Sequence, residues 1–171
     1  MKFQTFRDTI PELLALSGKY DNRPKVQFYE GLEGLKYVYE QIIVAGEAKV
    51  EKKPDFFPVF LGTTGIDPAF QRYLMEEFVP RRAKSLIEAR VIIPKSSLAC
   101  PYTQSNIQRN NYLVIDNVLF DINGEIILYG ENKVLIAMYS SEELSAIVIT
   151  SKMLYNGFKG MFNLIRNMYK K

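Results

Sequence analysis

The chain has 171 residues, of which 47% are apolar and 24% charged, and its formal net charge is +3. These values are typical of one globular domain, and so small a cationic excess does not by itself indicate nucleic-acid binding. Histidine is absent and Cys100 is the only cysteine, which excludes imidazole catalysis, Ser-His and Cys-His nucleophile pairs, an intrachain disulfide and a cysteine zinc cluster.

No cofactor, metal or membrane partner is predicted. No stretch approaches the roughly 20 consecutive apolar residues of a membrane span. The first residues carry Lys2, Arg7, Asp8 and Glu12 among apolar ones, which is not the pattern of a signal peptide. A single unpaired cysteine is compatible with a reducing compartment, so we expect a cytoplasmic protein.

The N-terminal segment is predicted to lead into the main domain. Residues 3–17 have a helical apolar pattern that Pro11 interrupts, so two short helical pieces are expected. Residues 17–24 are rich in turn formers. We therefore divide the chain into a lead-in helix and linker, residues 1–24, and a domain spanning residues 25–171.

The stretch KVQFYEGLEGLKYVYE, residues 25–40, predicts a strand followed directly by a helix. Residues 26–28 alternate as in a strand, and Gly31 or Gly34 makes the turn. Apolar residues then recur at helical spacing as far as Gly46.

A second strand and a long helix are predicted next. Residues 56–61 form an apolar run in which Pro58 indicates an edge strand or a bulge. Asp67-Pro68 is typical of a helix N-cap with proline in the first turn. The helix extends to residue 87 with a kink near Pro80, and residues 91–94 form a short buried strand.

The last third of the chain predicts a meander followed by a helix. The strand-like runs are residues 112–115, 125–129, 133–138 and 144–150. The short intervals between them, which include Asn123-Gly124, predict antiparallel hairpins. Ser151 is the expected N-cap of a terminal amphipathic helix. The fold class is therefore α/β, with a mixed sheet that is antiparallel in the C-terminal third and covered by helices.

Tyr29 and Glu30 are candidate ligand contacts because they lie where a strand meets a helix, which is where ligands commonly bind in open α/β sheets. The structural alternative is that Gly31 and Gly34 only make a tight turn and Glu33 complements the helix dipole. The two glycines match neither a dinucleotide fingerprint nor a P-loop.

Arg81 and Arg82 follow the predicted kink and suit a phosphate or carboxylate, although a solvated helix face is the alternative. Ser151 is a further candidate, at the start of the last helix. That helix is basic and amphipathic, which fits a membrane surface or a partner groove, but covering a sheet is the more common role. Asp121 and Glu125 are expected on hairpin surfaces.

Three segments resemble the effector domain of TrmB-like transcriptional regulators. They are PELLALSGKYDNRPKVQFYEGLEGLKYVYEQII, YLMEEFVPRR and EIILYGENKVLIAMYSSEELSAIVITSKMLYNGFKGMFNLI. Residues 28–31, Phe-Tyr-Glu-Gly, are the most specific part. The resemblance implies a phospholipase D-like α/β sandwich, a homodimer, and an effector site for a small molecule, often a sugar. It also implies that DNA is bound by an N-terminal winged helix–turn–helix.

The chain departs from that family pattern in ways that shape the expectations. No segment before residue 25 is long enough for a three-helix DNA-binding domain, so DNA contact is expected only through a domain that this chain lacks. An excised effector domain and a stand-alone paralogue both fit. The extra C-terminal domain of sugar-sensing members has no counterpart. Phospholipase D-like enzymes use a His-x-Lys motif, and here Lys133 is kept without a histidine, so no enzymatic activity is expected.

The leading hypothesis is a non-enzymatic effector-binding and dimerisation domain of such a regulator, which senses a small molecule such as a sugar or sugar phosphate. The alternative is a nucleic-acid-binding module that uses residues 81–95 and 152–171 as a basic surface. A third hypothesis is a dimerisation module with no ligand.

Overall fold

The computed structural model describes residues 23–47, 56–84, 88–100, 103, 110–116 and 123–169, so the predicted lead-in helix lies outside the described residues. The strands are β1 (Lys25–Glu30), β2 (Phe56–Thr63), β3 (Glu88–Pro94), β4 (Asn110–Ile115), β5 (Asn123–Tyr129), β6 (Lys133–Ser140) and β7 (Glu143–Thr150). The helices are α1 (Gly31–Glu47), α2 (Pro68–Tyr73), α3 (Val79–Lys84) and α4 (Lys152–Tyr169). A π turn over Leu74–Phe78 joins α2 to α3.

The described strands form one mixed sheet in the order β1-β7-β6-β5-β2-β3-β4. β2, β3 and β4 run parallel, and every other neighbouring pair is antiparallel. The predicted α/β class with a mixed sheet is confirmed. The predicted hairpin between residues 112–115 and 125–129 is wrong, because β4 lies beside β3 at the far edge while β5 pairs with β2 and β6.

The Asn123-Gly124 pair, which favoured that hairpin, forms the first two residues of β5. Gly124 has a φ of 141°. A Cβ at this position would lie 2.4 Å from the carbonyl oxygen of Ala137 in β6. The glycine is therefore required by the close approach of two strands and does not mark a turn between β4 and β5.

Pro58 predicted an edge strand or a bulge, and the edge-strand alternative is wrong because β2 is an interior strand. Pro58 lies opposite Arg90 in the parallel pairing with β3, whereas the pairing with β5 begins one residue later, at Val59 opposite Ile127. The proline thus lies where the β5 ladder has not yet begun, which is how a residue without an N–H fits into an interior strand.

Helices cover both faces of the sheet. On one face, α1, α2 and α3 bury a large cluster that includes Tyr39, Phe70 and Leu135. On the other face, Phe162 of α4 packs on Phe60 at 5.6 Å between ring centroids, within a smaller cluster. None of the described helices is long and apolar enough to cross a membrane.

The predicted helix starts are confirmed. Asp67 accepts hydrogen bonds from the backbone N–H groups of Ala69 and Phe70, at 2.9 and 3.0 Å. The π turn falls just before Pro80, where the predicted kink lies. A widened turn relieves the contact between a proline ring and the preceding turn's carbonyl.

Candidate functional site

Tyr29 and Glu30, the predicted corner residues, end β1 at the point where α1 begins. Tyr29 is half-buried, and its ring lies 5.6 Å from that of Tyr37. Glu30 is exposed. Gly31 has a φ of 70° and makes the turn, and a Cβ at Gly34 would lie 3.2 Å from Tyr29. The corner is therefore a tight strand-to-helix turn in which both glycines have a structural role.

Arg81 and Arg82 point in different directions. Arg81 Nη1 donates a 2.6 Å hydrogen bond to Glu40 Oε1 of α1. This contact raises the pKa of Arg81. Arg82 is only 4% exposed, and its Nη2 donates to Asn110 Oδ1 at 2.7 Å. The first arginine thus joins α3 to α1, and the second is part of the protein interior.

Ser151 lies in a groove at the end of the sheet where β1 begins, β7 ends and α4 begins. The groove has a volume of about 650 Å³ and is lined by Arg23, Pro24, Lys25, Asn132, Thr150, Ser151, Lys152, Met153 and Asn156. Small-molecule sites commonly have volumes of roughly 300–1,000 Å³. Of the five predicted contacts, only Ser151 is part of this groove. Glu30 is five residues further along β1, roughly 17 Å away at strand spacing.

The strand register and the helix start build the groove. Thr150 lies opposite Lys25 on one side and opposite Lys133 on the other. The N–H of Ser151 donates to the carbonyl oxygen of Asn132 at 2.9 Å. Ser151 Oγ accepts from the N–H of Leu154 at 3.4 Å, so the residue caps α4 as predicted.

The groove is electropositive. Arg23, Lys25 and Lys152 are exposed along it, and no acidic residue is among its described lining. The first turn of α4 adds backbone N–H groups and the positive end of an 18-residue helix. Hydroxyl and amide groups of Thr150, Ser151, Asn132 and Asn156 complete the lining. This combination suits a ligand that carries both an anionic group and hydrogen-bonding groups.

Lys133, the lysine that the sequence comparison set against the His-x-Lys pattern, is not among the residues that line the groove. Its Nζ lies 5.6 Å from the centroid of the Tyr129 ring, and its Cδ lies near Gly130. The side chain therefore packs on the face that α1 covers. Burial raises the pKa of Tyr129 to about 12, so this hydroxyl stays protonated at neutral pH.

A buried carboxylate lies elsewhere in the core. Glu125 is 3% exposed, so the expectation of a hairpin surface residue is wrong. Tyr39 Oη donates a hydrogen bond to Glu125 Oε2. Burial raises the pKa of Glu125 to about 7, against the lowering effects of that hydrogen bond and of the Arg82 charge. A cavity of about 20 Å³, lined by Arg82, Asn110 and Glu125 among apolar groups, has room for a single water.

Glu125 could have been found from its position. It precedes the run IILY and has the same strand parity as Ile127 and Tyr129, which places it on their core face. The groove could not have been predicted from the sequence. Its residues Lys25, Thr150 and Lys152 come together only because strands far apart in the sequence lie side by side. Among the described residues, no three acidic or thiol side chains form a group that could hold a metal ion.

The sheet order and the two helix layers define a phospholipase D-like α/β fold, and comparison with solved structures agrees. The Salmonella typhimurium Nuc structure, a phospholipase D family member, matches with a TM-score of 0.58 and 14% identity over 86% of this chain and 97% of that one. NucT from Helicobacter pylori matches with a TM-score of 0.57 and 6% identity over 85% and 97% of the two chains.

TrmBL2, described as an archaeal chromatin protein with a novel mode of DNA binding, matches with a TM-score of 0.51 and 14% identity over 99% of this chain. This chain spans 63% of the length of that TrmBL2 chain. No protein-family model and no curated protein sequence matches. At these identities, the likeness establishes the fold that the TrmB-like resemblance implied.

Proposed function

We propose that the chain is a non-enzymatic effector-binding domain of a TrmB-like transcriptional regulator, and that its effector is a small phosphate-bearing molecule such as a sugar phosphate. The electropositive groove carries the proposal. Arg23, Lys25 and Lys152 suit the phosphate, and the hydroxyl and amide groups of Thr150 and Asn156 suit sugar hydroxyls.

The absence of catalysis is supported by the chemistry of the chain. A phosphohistidine intermediate requires an imidazole, and the sequence contains no histidine. Lys133 packs against Tyr129 and is not in the groove lining. The groove can neutralise and orient a phosphate, but its described lining includes no histidine or acidic residue to act as the base for a nucleophile.

The position of the groove supports a sensing role. Lys25 is the first residue of β1, Arg23 lies two residues before that strand, and Lys152 begins α4. A bound anion attracts these elements together, and residues 1–22 connect directly to Arg23. A ligand that prefers one arrangement of this junction shifts the population towards it. In this proposal, the shift is passed on to DNA contact by the regulator, and the likeness to TrmBL2, described as having a novel mode of DNA binding, supports that relation.

Thermal unfolding of the full chain with sugar phosphates, the parent sugars, nucleotides and inorganic phosphate tests the proposal. At a hundred times its dissociation constant, a ligand adds about 2.7 kcal/mol to the free energy of unfolding, or roughly 5–10 °C in Tm. We expect this shift from a phosphate-bearing compound and a much smaller one from its parent sugar.

Lys152→Gln should abolish the shift, and Lys159→Gln is the matched control. Both lysines are exposed on α4, but only Lys152 lines the groove. No shift from any phosphate-bearing compound, or a shift that Lys152→Gln leaves intact, would contradict the proposal. A dimerisation module with no ligand is expected to show no shift in Tm with any compound of the panel.

A nucleic-acid-binding module is the second candidate, favoured by the lack of any acidic residue in α4. The 81–95 segment supports this candidate less well, because three of its cations have acidic partners within 4 Å. The pairs are Arg81–Glu40, Arg90–Glu88 and Lys95–Asp116. Duplex binding whose affinity falls steeply with salt would favour this candidate, whereas the effector proposal expects little affinity of this chain for DNA.

A further inference from the structure

β1 is an edge strand of the sheet that the described residues form. It lies at the end of the sheet order, and among the described strands only β7 pairs with it. Edge strands present a row of backbone N–H and C=O groups that can pair with a further chain. An edge of six residues is long enough to template such pairing.

One face of this edge is apolar and exposed. Val26 and Phe28 are 63% and 57% exposed. They lie opposite Ile149 and Ile147 of β7, which are half-buried on the same face. Together these four side chains form a strip that we call the β1 strip. Exposed apolar strips at a sheet edge are typical of interaction surfaces.

The charges at the two ends of β1 have opposite signs. Lys25 begins the strand, Arg23 lies two residues before it, and Glu30 ends it. A second copy of β1 in the antiparallel direction places the partner's Glu30 beside the cationic end, and the two-fold symmetry repeats this contact. Two β1 strands are thus complementary in charge as well as in backbone geometry.

We propose that β1 pairs antiparallel with β1 of a second copy of this chain, about a two-fold axis through Gln27, so that the two sheets become one. Such an axis places residues of the same face opposite each other. In this register, Val26 lies opposite the partner's Phe28. A register centred on Phe28 makes one apolar pair, Phe28 with the partner's Phe28, and places Val26 opposite the partner's Glu30. The Gln27 register makes the Val26–Phe28 pair twice by symmetry and is therefore favoured.

Cysteine cross-linking tests the register in a Cys100→Ala background, where no native thiol competes. Directly opposite residues have Cα atoms about 4.5–5.5 Å apart, within disulfide range. Gln27→Cys, on the axis, should give a covalent dimer under mild oxidation. Lys25→Cys is the control, because its symmetry mate lies opposite residue 29, roughly 13 Å along the strand, and it should stay monomeric on a denaturing gel.

Sedimentation velocity of the full chain over a range of concentrations tests the surface. Phe28→Lys should raise the dissociation constant of the dimer by at least about tenfold. Val44→Lys is the matched control, since Val44 of α1 is 56% exposed and lies outside the β1 strip. It should leave the dissociation constant unchanged, and circular dichroism should show both variants folded.

Three results overturn the proposal. The first is a chain that stays monomeric at every concentration, which is also the result if residues 1–22 cover the β1 strip. The second is a dimer that Phe28→Lys does not weaken. The third is cross-linking at residue 25 as strong as at residue 27.

Discussion

Glu125 gives the sharpest test of the core, because burial raises its pKa from an ordinary value of 4.5 to about 7. A carboxyl group with a raised pKa favours folding in its neutral form. This contribution to the free energy of unfolding is fully present below pH 4.5 and is lost as the pH rises towards 7. Above pH 7 the group causes no further change in stability. One pH unit corresponds to about 1.4 kcal/mol, so the loss over this window is about 3 kcal/mol.

The perturbation is Glu125→Gln, which keeps the shape and the acceptor for Tyr39 but cannot ionise. The free energy of unfolding of both proteins is measured by urea denaturation between pH 4.5 and 8.5. Other titrating groups cancel in the difference. We expect the stability of the natural chain relative to the variant to fall by about 3 kcal/mol between pH 4.5 and 7, then to level off.

A second variant sharpens this measurement. Tyr39→Phe removes the hydrogen bond that lowers the pKa of Glu125, so the loss of stability should extend to higher pH. If the difference between the natural chain and Glu125→Gln is flat from pH 4.5 to 8, the reasoning from burial is wrong.

Three other perturbations probe function, strand packing and the second core cluster. The natural chain and Lys133→Ala should both show only background phosphodiester hydrolysis in a chromogenic assay; turnover that copurifies with the natural chain and is lost in the variant would contradict the non-enzymatic proposal. Gly124→Ala should lower the free energy of unfolding by about 2–4 kcal/mol in urea denaturation, because the added Cβ lies 2.4 Å from the Ala137 carbonyl oxygen. An unchanged urea midpoint would mean that β5 and β6 move apart at little energetic cost. Phe162→Ala should lower the free energy of unfolding by about 3–5 kcal/mol in the same assay, because Phe162 is fully buried between α4 and the sheet. A loss under about 1 kcal/mol would show that neighbouring side chains fill the cavity.

The sequence alone determined the elements whose signals are local. The period of the apolar residues identified α1 and α4, and Asp67 and Ser151 identified helix starts, because capping and amphipathic patterns depend on residues within one or two turns. The β5–β6 and β6–β7 hairpins were readable for the same reason: short turns join consecutive strands, and Asn132, with a φ of 62°, adopts the left-handed conformation that such turns require.

Only the tertiary structure decided the long-range pairings, and with them the candidate site. β4 pairs in parallel beside β3, which no local turn could indicate, and Pro58 is tolerated in an interior strand because of where one ladder begins. The groove combines the start of β1 with the end of β7, more than 120 positions away in the numbering. Lys152 was recognisable only as one basic residue of the terminal helix, and Lys25 had no local signal. Their proximity in the groove follows from strand order, which is set by the burial of whole sheet faces and not by neighbouring residues.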